Sequence, residues 1–492
     1  MSSVRALAAG CLLPGFRGTR PPGWLRRQVA GGLGGVTLFA RNVAGPEQVA
    51  DLTARLRAER ADLLIAIDEE GGDVTRLEAR TGSSYPGNLA LGAAGDLGLT
   101  RSVAGALGAD LAAAGVNLDL APVADVNSNP QNPVIGVRSF GADPELVAAH
   151  TAAFVEGLQS QGVAACVKHF PGHGDTSVDS HLGLPVAAGG EEALEAALLP
   201  FRAAIAAGVR AVMTAHVVVP TRDSVPATLS PAVLTDLLRG RLSFDGLVVT
   251  DALEMAAIRA TAGLVDGGVR ALAAGADALC IGGGEAGEDV VTRYVDALEA
   301  AVRLGRLSEE RLAGAAWRLA ATARWAAASR HRSSPSPARS VGLEAARRAV
   351  TARCVPPVGT TPVLVELRPE PGLAAGPVPW GLREALARRA PGLTVLRLDG
   401  VAGVGGVLGA AAGRPLVLSV RDLHRHPAHA AAVARVLAGR PDAIVVEMGL
   451  PAHPPAAGAY VATRGAGGVN AEAAVELLAA GVLGDVGPVL AA

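Results

Sequence analysis

From about residue 30 to residue 285 the chain alternates between short unbroken apolar runs and longer stretches with helical spacing. The runs cover 35–39, 63–67, 116–120, 164–167, 211–214, 247–250 and 278–281. Helical patterns lie between them, such as 46–57, where Pro46 sits at an early helical position that needs no N–H donor, and 101–114. A strand that is apolar throughout must be covered on both faces, and strands alternating with helices pair in parallel. The pattern therefore predicts an α/β fold, a (β/α)8 TIM-type barrel. Seven runs are visible where a closed barrel needs eight, and 134–137 is the candidate for the missing strand. An open doubly wound sheet is the alternative, but it would gather only the loops near its switch point.

Polar residues stand just past the C-terminal ends of these runs: Arg41 and Asn42, then Asp68, Lys168 with His169, His216 and Asp251. In a parallel barrel the loops at that end assemble the active site. Residues 329–339, rich in Ser, Pro and Arg, read as a linker. Beyond them a helix near 343–350 and apolar runs at 363–367, 394–398, 416–420, 443–447 and 460–462 predict a smaller α/β layered C-terminal domain. The expected division is a barrel domain over 1–328, a linker over 329–340 and the second domain over 341–492. Gly403-Val404-Gly405-Gly406 lacks the spacing of a dinucleotide loop and reads as a turn. His424, His426 and His429 read as a polar loop before a helix rather than a metal site.

Composition narrows the function. Of 492 residues half are hydrophobic but only 3% aromatic, so the cores must be built from Ala, Val and Leu. A net charge of −2 with no basic block argues against a nucleic-acid or membrane-surface partner. The cysteines, Cys11, Cys166, Cys280 and Cys354, are far apart and without CxxC spacing, which fits reduced thiols in a cytoplasmic protein. No run is long enough to span a membrane and no convincing signal peptide precedes the fold.

Lys168 is the only lysine among 44 Lys and Arg residues. It opens a Gly- and Pro-rich stretch, Lys168 to His181, that holds three histidines and two aspartates. A compact ammonium does what a planar guanidinium cannot where a small polar ligand must be gripped. His169 and His173 are four apart, but Pro171 and Gly172 between them rule out the helix that would bring both imidazoles to one metal. A metal held by His173, Asp175 and His181 is a lesser alternative, so no metal and no cofactor is expected. Asp179 and His181, two apart in an extended segment, point the same way and make a carboxylate-oriented proton-transfer group. Asp251 reads equally as the N-cap of a helix from Ala252 or as a nucleophile projecting into the barrel mouth. Asp68 carries the same two readings, with Gly71 and Gly72 after it allowing a sharp turn.

Together these segments resemble family 3 glycoside hydrolases, most closely the bacterial β-N-acetylhexosaminidases. The resemblance rests on Phe39 to Asn42, Asp68 to Leu77, Gly136 to Gly141, Lys168 to His181 and Thr250 to Met255, in family order over roughly residues 5–325. It implies Asp251 as the nucleophile, His181 as the general acid/base oriented by Asp179, and Asp68, Arg76, Arg138, Lys168 and His169 as the groups that grip N-acetylglucosamine. It further implies a retaining enzyme acting on a small glycoside or muropeptide. An imidazole replaces one of the usual two carboxyls. That leaves the mouth less negative, so hydrolysis and phosphorolysis, with inorganic phosphate as acceptor, are both open. A phosphorylase or β-glucosidase of the same family is the alternative enzyme, and a non-catalytic sugar-binding protein the alternative class. Glu69 stands where many members carry glutamine, and Val137 where an acidic residue is common.

Overall fold

The computed structural model describes residues 3–282, 287–329, 337–370, 372, 375–376 and 380–487. Residues 330–336 of the expected linker lie outside them. By internal contacts, residues 1–69, 104–133 and 142–337 form one compact unit, and 70–103, 134–141 and 338–492 form a second.

The first unit carries eight parallel strands among the described residues: β1 (Leu12–Pro14), β2 (Gly35–Leu38), β3 (Leu64–Ile67), β4 (Leu118–Asp119), β5 (Ala164–Phe170), β6 (Ala211–Thr214), β7 (Leu247–Thr250) and β8 (Leu279–Ile281). Strands β2 to β7 form one sheet in chain order, and β1 pairs with β8. A bridge between Val249 and Ala278 joins β7 to β8, while the Thr37 hydroxyl of β2 donates to the Leu13 carbonyl of β1 at 3.3 Å. The sheet thus curls into the TIM-type barrel. The eighth strand is β1, hidden in a three-residue run. The expected candidate at 134–137 is no strand; a single 3-10 turn, Gly136–Arg138, stands there instead.

Each strand is buried along its whole length because alternate residues face opposite ways and both faces of the sheet are covered. Leu13, Leu64, Ala66, Leu118, Ala164, Cys166, Ala211, Met213, Leu247, Val249, Ala278 and Cys280 pack into one cluster. Leu319 and Ala323 of the helix Glu309–Ser329 belong to the same cluster. Aliphatic and sulfur-bearing side chains fill this interior, which explains how a chain so poor in aromatics closes a barrel. Cys11, Cys166 and Cys280 are buried free thiols, whereas Cys354 is exposed. Among the described residues no helix is long and apolar enough to cross a membrane.

The second unit holds a sheet in the order β11-β10-β12-β13-β14-β9-β15, with β9 (Thr351–Arg353), β10 (Val363–Glu366), β11 (Thr394–Arg397), β12 (Leu416–Val420), β13 (Ile444–Glu447), β14 (Ala459–Ala462) and β15 (Asp485–Val486). Strands β10 to β14 are parallel, while β9 pairs antiparallel with both β14 and β15. Val363, Val365, Leu416, Leu418 and Val445 face one core, and Leu364, Val417, Ile444, Val446 and Val461 the other. The Gly403 cluster is not a plain turn: a 3-10 segment, Val401–Gly403, leads into the helix Val404–Ala410. Gly71 and Gly72 both take positive φ, 75° and 57°, so the turn expected after Asp68 is present.

At the N-terminal end of β8 one buried carboxylate serves three cations. Asp277 accepts from the Val248 amide at 2.9 Å and from Arg311 at 2.9 Å, is bonded to Arg239, and lies 3.5 Å from Arg318. Removing it would leave three guanidiniums facing one another. Asp277→Ala should therefore cost about 3–5 kcal/mol, read as a drop in the barrel's unfolding transition. A loss under about 1 kcal/mol, the scale of an exposed pair, would remove Asp277 from that role.

Candidate active site

The rim at the C-terminal ends of the barrel strands is built from charged pairs that the parallel sheet delivers side by side. Asp68 follows β3 and Lys168 lies within β5. The Lys168 ammonium, its side chain only 2% exposed, donates to Asp68 Oδ1 at 2.7 Å. An ammonium this buried persists because the carboxylate compensates its lost hydration. Asp119 at the end of β4 accepts the amide of Glu69 at 3.0 Å and so fixes the backbone beside Asp68. Burial holds the Asp119 carboxyl well above the usual carboxylate range. Glu69, at the position that departs from the family pattern, is buried as well.

His169 is oriented by a residue that the sequence reading overlooked. Asp125 is fully buried and its Oδ2 accepts from His169 Nδ1 at 2.7 Å. Its Oδ1 accepts the amides of His173 at 2.7 Å and His169 at 3.3 Å. Burial works to raise the Asp125 carboxyl, but the His169 and His173 donors outweigh it and the net shift is downward. With Nδ1 committed, His169 keeps Nε2 for a ligand. The signal was present, because Asp125 closes the apolar stretch Leu120 to Ala124 as Asp251 closes Gly246 to Thr250.

The remainder of the stretch forms a loop whose parts fix one another. His173 places Nδ1 2.7 Å from the Thr176 hydroxyl and Nε2 3.1 Å from the Ser180 hydroxyl. Burial pushes its pKa down to about 4, so it is a neutral strut at ordinary pH. Asp175 does not join a ligand set with His173 and His181; its Oδ2 accepts the amides of Ala188 and Gly189 and closes the loop on itself. Gly174 is required where it stands, because a Cβ there would lie 1.8 Å from the Val126 carbonyl oxygen. Ser180, held by His173, separates Asp179 from His181. Asp179 Oδ1 lies 2.7 Å from His181 Nδ1 and 2.9 Å from its backbone nitrogen. Burial opposes ionisation of Asp179, yet these two donors hold its carboxyl below the ordinary range. The His181 ring is 28% exposed, open enough to meet a substrate.

Asp251 follows β7, and its Oδ1 accepts the Ala252 amide at 2.7 Å. It caps no helix at Ala252, because the next helix is Ala256–Thr261. Burial raises its carboxyl, but the imidazoles of His216, His169 and His181, with the Ala252 amide, bring it net below the usual range. His216, at the end of β6, is fixed by the Thr228 hydroxyl at 2.7 Å and the Ala252 carbonyl at 3.0 Å. The imidazoles of His216, His169 and His181 thus all favour the ionised Asp251 carboxylate.

Arg76 and Arg138 belong to the second unit. Arg138 is buried and gripped by Glu70 through two bonds, at 2.9 and 2.8 Å, with a third to the Val134 carbonyl at 3.0 Å. Glu70 lay within the Asp68–Leu77 motif, yet nothing in sequence spacing marks it as the partner of a residue 68 positions away. In the same unit Asp73 binds Arg421 and accepts the Ala466 amide at 2.7 Å. Across the first unit's rim, an ionised carboxylate at Asp251, a carboxylate-oriented imidazole at His181 and a paired ammonium at Lys168 suit nucleophilic attack with proton transfer on a polyhydroxylated ligand.

Residues 27–322 match the N-terminal domain of glycosyl hydrolase family 3. The chain is 41% identical over 269 residues to beta-hexosaminidase A of Pseudoalteromonas piscicida, a match covering half of this chain but only 45% of that relative. It is 41% identical over 251 residues to a beta-hexosaminidase of Methylococcus capsulatus, covering 50% of this chain and 75% of that one. Among solved structures, a family 3 beta-N-acetylglucosaminidase from Paenibacillus sp. str. FPU-7 superposes with a TM-score of 0.87 at 34% identity, covering 99% of both chains. With the matched domain spanning more than half of its length, the chain belongs to glycoside hydrolase family 3.

Proposed function

We propose that this protein is a retaining exo-β-N-acetylglucosaminidase that removes terminal non-reducing N-acetylglucosamine from peptidoglycan-derived fragments. The observation that carries this reading is the His181 imidazole oriented by Asp179 at 2.7 Å on the same barrel that places Asp251 just after β7. Asp251 attacks the anomeric carbon as His181 protonates the departing oxygen, leaving a covalent glycosyl ester. His181, now neutral, then takes a proton from the incoming water, and the ester breaks. Lys168, Asp68 and His169 hold the sugar hydroxyls. Arg76 and Arg138 are assigned to sugar binding by the family motif. The names of the relatives support the N-acetylhexosamine specificity.

Phosphate as acceptor is favoured by one observation: the acid/base is an imidazole, which does not repel an anion after the aglycone leaves. Product analysis on a disaccharide from peptidoglycan, with and without inorganic phosphate, separates free sugar from sugar 1-phosphate.

Asp251→Ala should abolish release of p-nitrophenol from its N-acetylglucosaminide, and near-wild-type turnover would remove Asp251 from the chemistry. His181→Ala should slow turnover by ~10²–10⁴ and let mass spectrometry catch the sugar on Asp251; absence of any adduct under steady state would count against the assignment.

The Asp179 carboxylate, held below its ordinary range by the His181 donors, in turn favours the protonated form of the pair. In Asp179→Asn the alkaline limb of kcat/KM should therefore move to lower pH. An unmoved limb with an unchanged rate would mean that the pair does no proton transfer. The acid limb should lie below the ordinary carboxylate range, because Asp251 stays ionised there.

A further inference from the structure

The loop that carries His181 also carries a concentration of uncovered carbon. Among the described residues nine large hydrophobic side chains are exposed, and four of them, Val178, Leu182, Leu184 and Val186, lie within nine positions on this one loop. Scattered singly, exposed apolar side chains need no explanation; gathered beside a reactive group they mark a binding surface. Leu182, directly after His181, is 74% exposed.

These side chains stand on backbone that is tied down. The amides of Leu182 and Gly183 donate to the Asp179 carbonyl at 2.9 and 3.0 Å, closing a turn around His181. Val178 packs against that turn, its Cγ1 3.3 Å from where a Cβ on Gly183 would lie. Val186 bridges to Val218, with the Ala187 amide on the Val218 carbonyl and the Val218 amide on the Pro185 carbonyl, both at 2.9 Å. Asp175 ties down the far end. Charge is missing in one sense only: from His169 to Phe201 the sequence has no Lys or Arg, while Asp175, Asp179, Glu191, Glu192 and Glu195 fall in that span. The ionisable groups that the span itself supplies beside His181 are therefore acidic, and Arg222, which reaches the span from outside, is engaged by Glu191.

We infer that Val178, Leu182, Leu184 and Val186 form the leaving-group subsite, and that it takes an aglycone that is neutral and presents an apolar face next to the scissile oxygen. The inference rests on the proposed role of His181. The acid/base must reach the glycosidic oxygen, and the aglycone is bonded to that oxygen on the side away from the sugar ring. Whatever leaves therefore passes the residues that flank His181. Peptide carboxylates of a cell-wall fragment would have to lie farther out.

The test is a series of methyl, butyl and hexyl β-N-acetylglucosaminides, whose leaving groups differ little in acidity, with a carboxyalkyl glycoside of hexyl length as the charged arm. For the wild-type full-length protein kcat/KM should rise roughly two- to fourfold per added methylene over the first few carbons, and the carboxylate should erase the gain. Leu182→Ser combined with Val186→Ser should reduce the hexyl-to-methyl ratio about tenfold or more. Both positions are exposed, so unfolding is not expected, and an unchanged melting temperature verifies it. A flat series in an active wild-type enzyme overturns the subsite while leaving the proposed function standing. So does a double variant that keeps the wild-type slope, or one that instead converts a dimer to monomers in sedimentation, which would make the patch a contact between copies. Absence of turnover on every N-acetylglucosaminide, p-nitrophenyl included, removes the proposed function and this subsite with it.

Discussion

Three donors converge on the two oxygens of Asp125, a carboxylate with no solvent exposure, and all come from the first residues of the Lys168–His181 stretch. Two belong to His169, at the rim, and one to His173, at the start of the loop. A buried carboxylate is costly unless it is fully satisfied, so this one constrains its donors. Moving His169 or the loop away would leave a charge stranded in the barrel wall. From there the order passes outward: His173 holds Thr176 and Ser180, Ser180 sits between Asp179 and His181, and Asp179 orients the imidazole.

The same economy sorts the histidines into roles. His173 is buried with hydroxyls on both nitrogens and stays neutral. His216 is buried between Thr228 and Ala252, and burial holds its pKa down despite the nearby Asp251 carboxylate. His181 alone of the loop histidines combines a carboxylate on Nδ1 with an exposed ring face. An imidazole that both pairs with an acid and reaches solvent is the one equipped to move a proton. The apolar lip around it belongs to the same design, since it offers the leaving group carbon beside the proton donor.

The sequence made the barrel legible through its strands, because a strand buried on both faces is written as an unbroken apolar run. It hid β1, whose three residues are too short to show a run, and let 134–137 stand in for it. Lys168, Asp68, Asp179, His181 and Asp251 were visible as polar residues closing apolar runs or crowding one Gly-rich stretch. Asp125 and Glu70 were missed as partners, one serving residues 44 and 48 positions away and the other 68. Spacing along a chain carries no record of such pairings.

Periodicity, composition and one uniquely placed lysine were enough to specify a parallel barrel with a reactive rim, since these follow from which faces must be dry and which residue types can do chemistry. Only the folded chain decided which carboxylate serves which partner. The sequence left Asp251 open as a helix cap and Asp175 open as a metal ligand with His173 and His181. The backbone instead starts the next helix at Ala256, spends Asp175 on two loop amides and turns His173 toward hydroxyls. Those outcomes depend on distances of a few ångströms between segments far apart in sequence, and burial sets what each contact is worth.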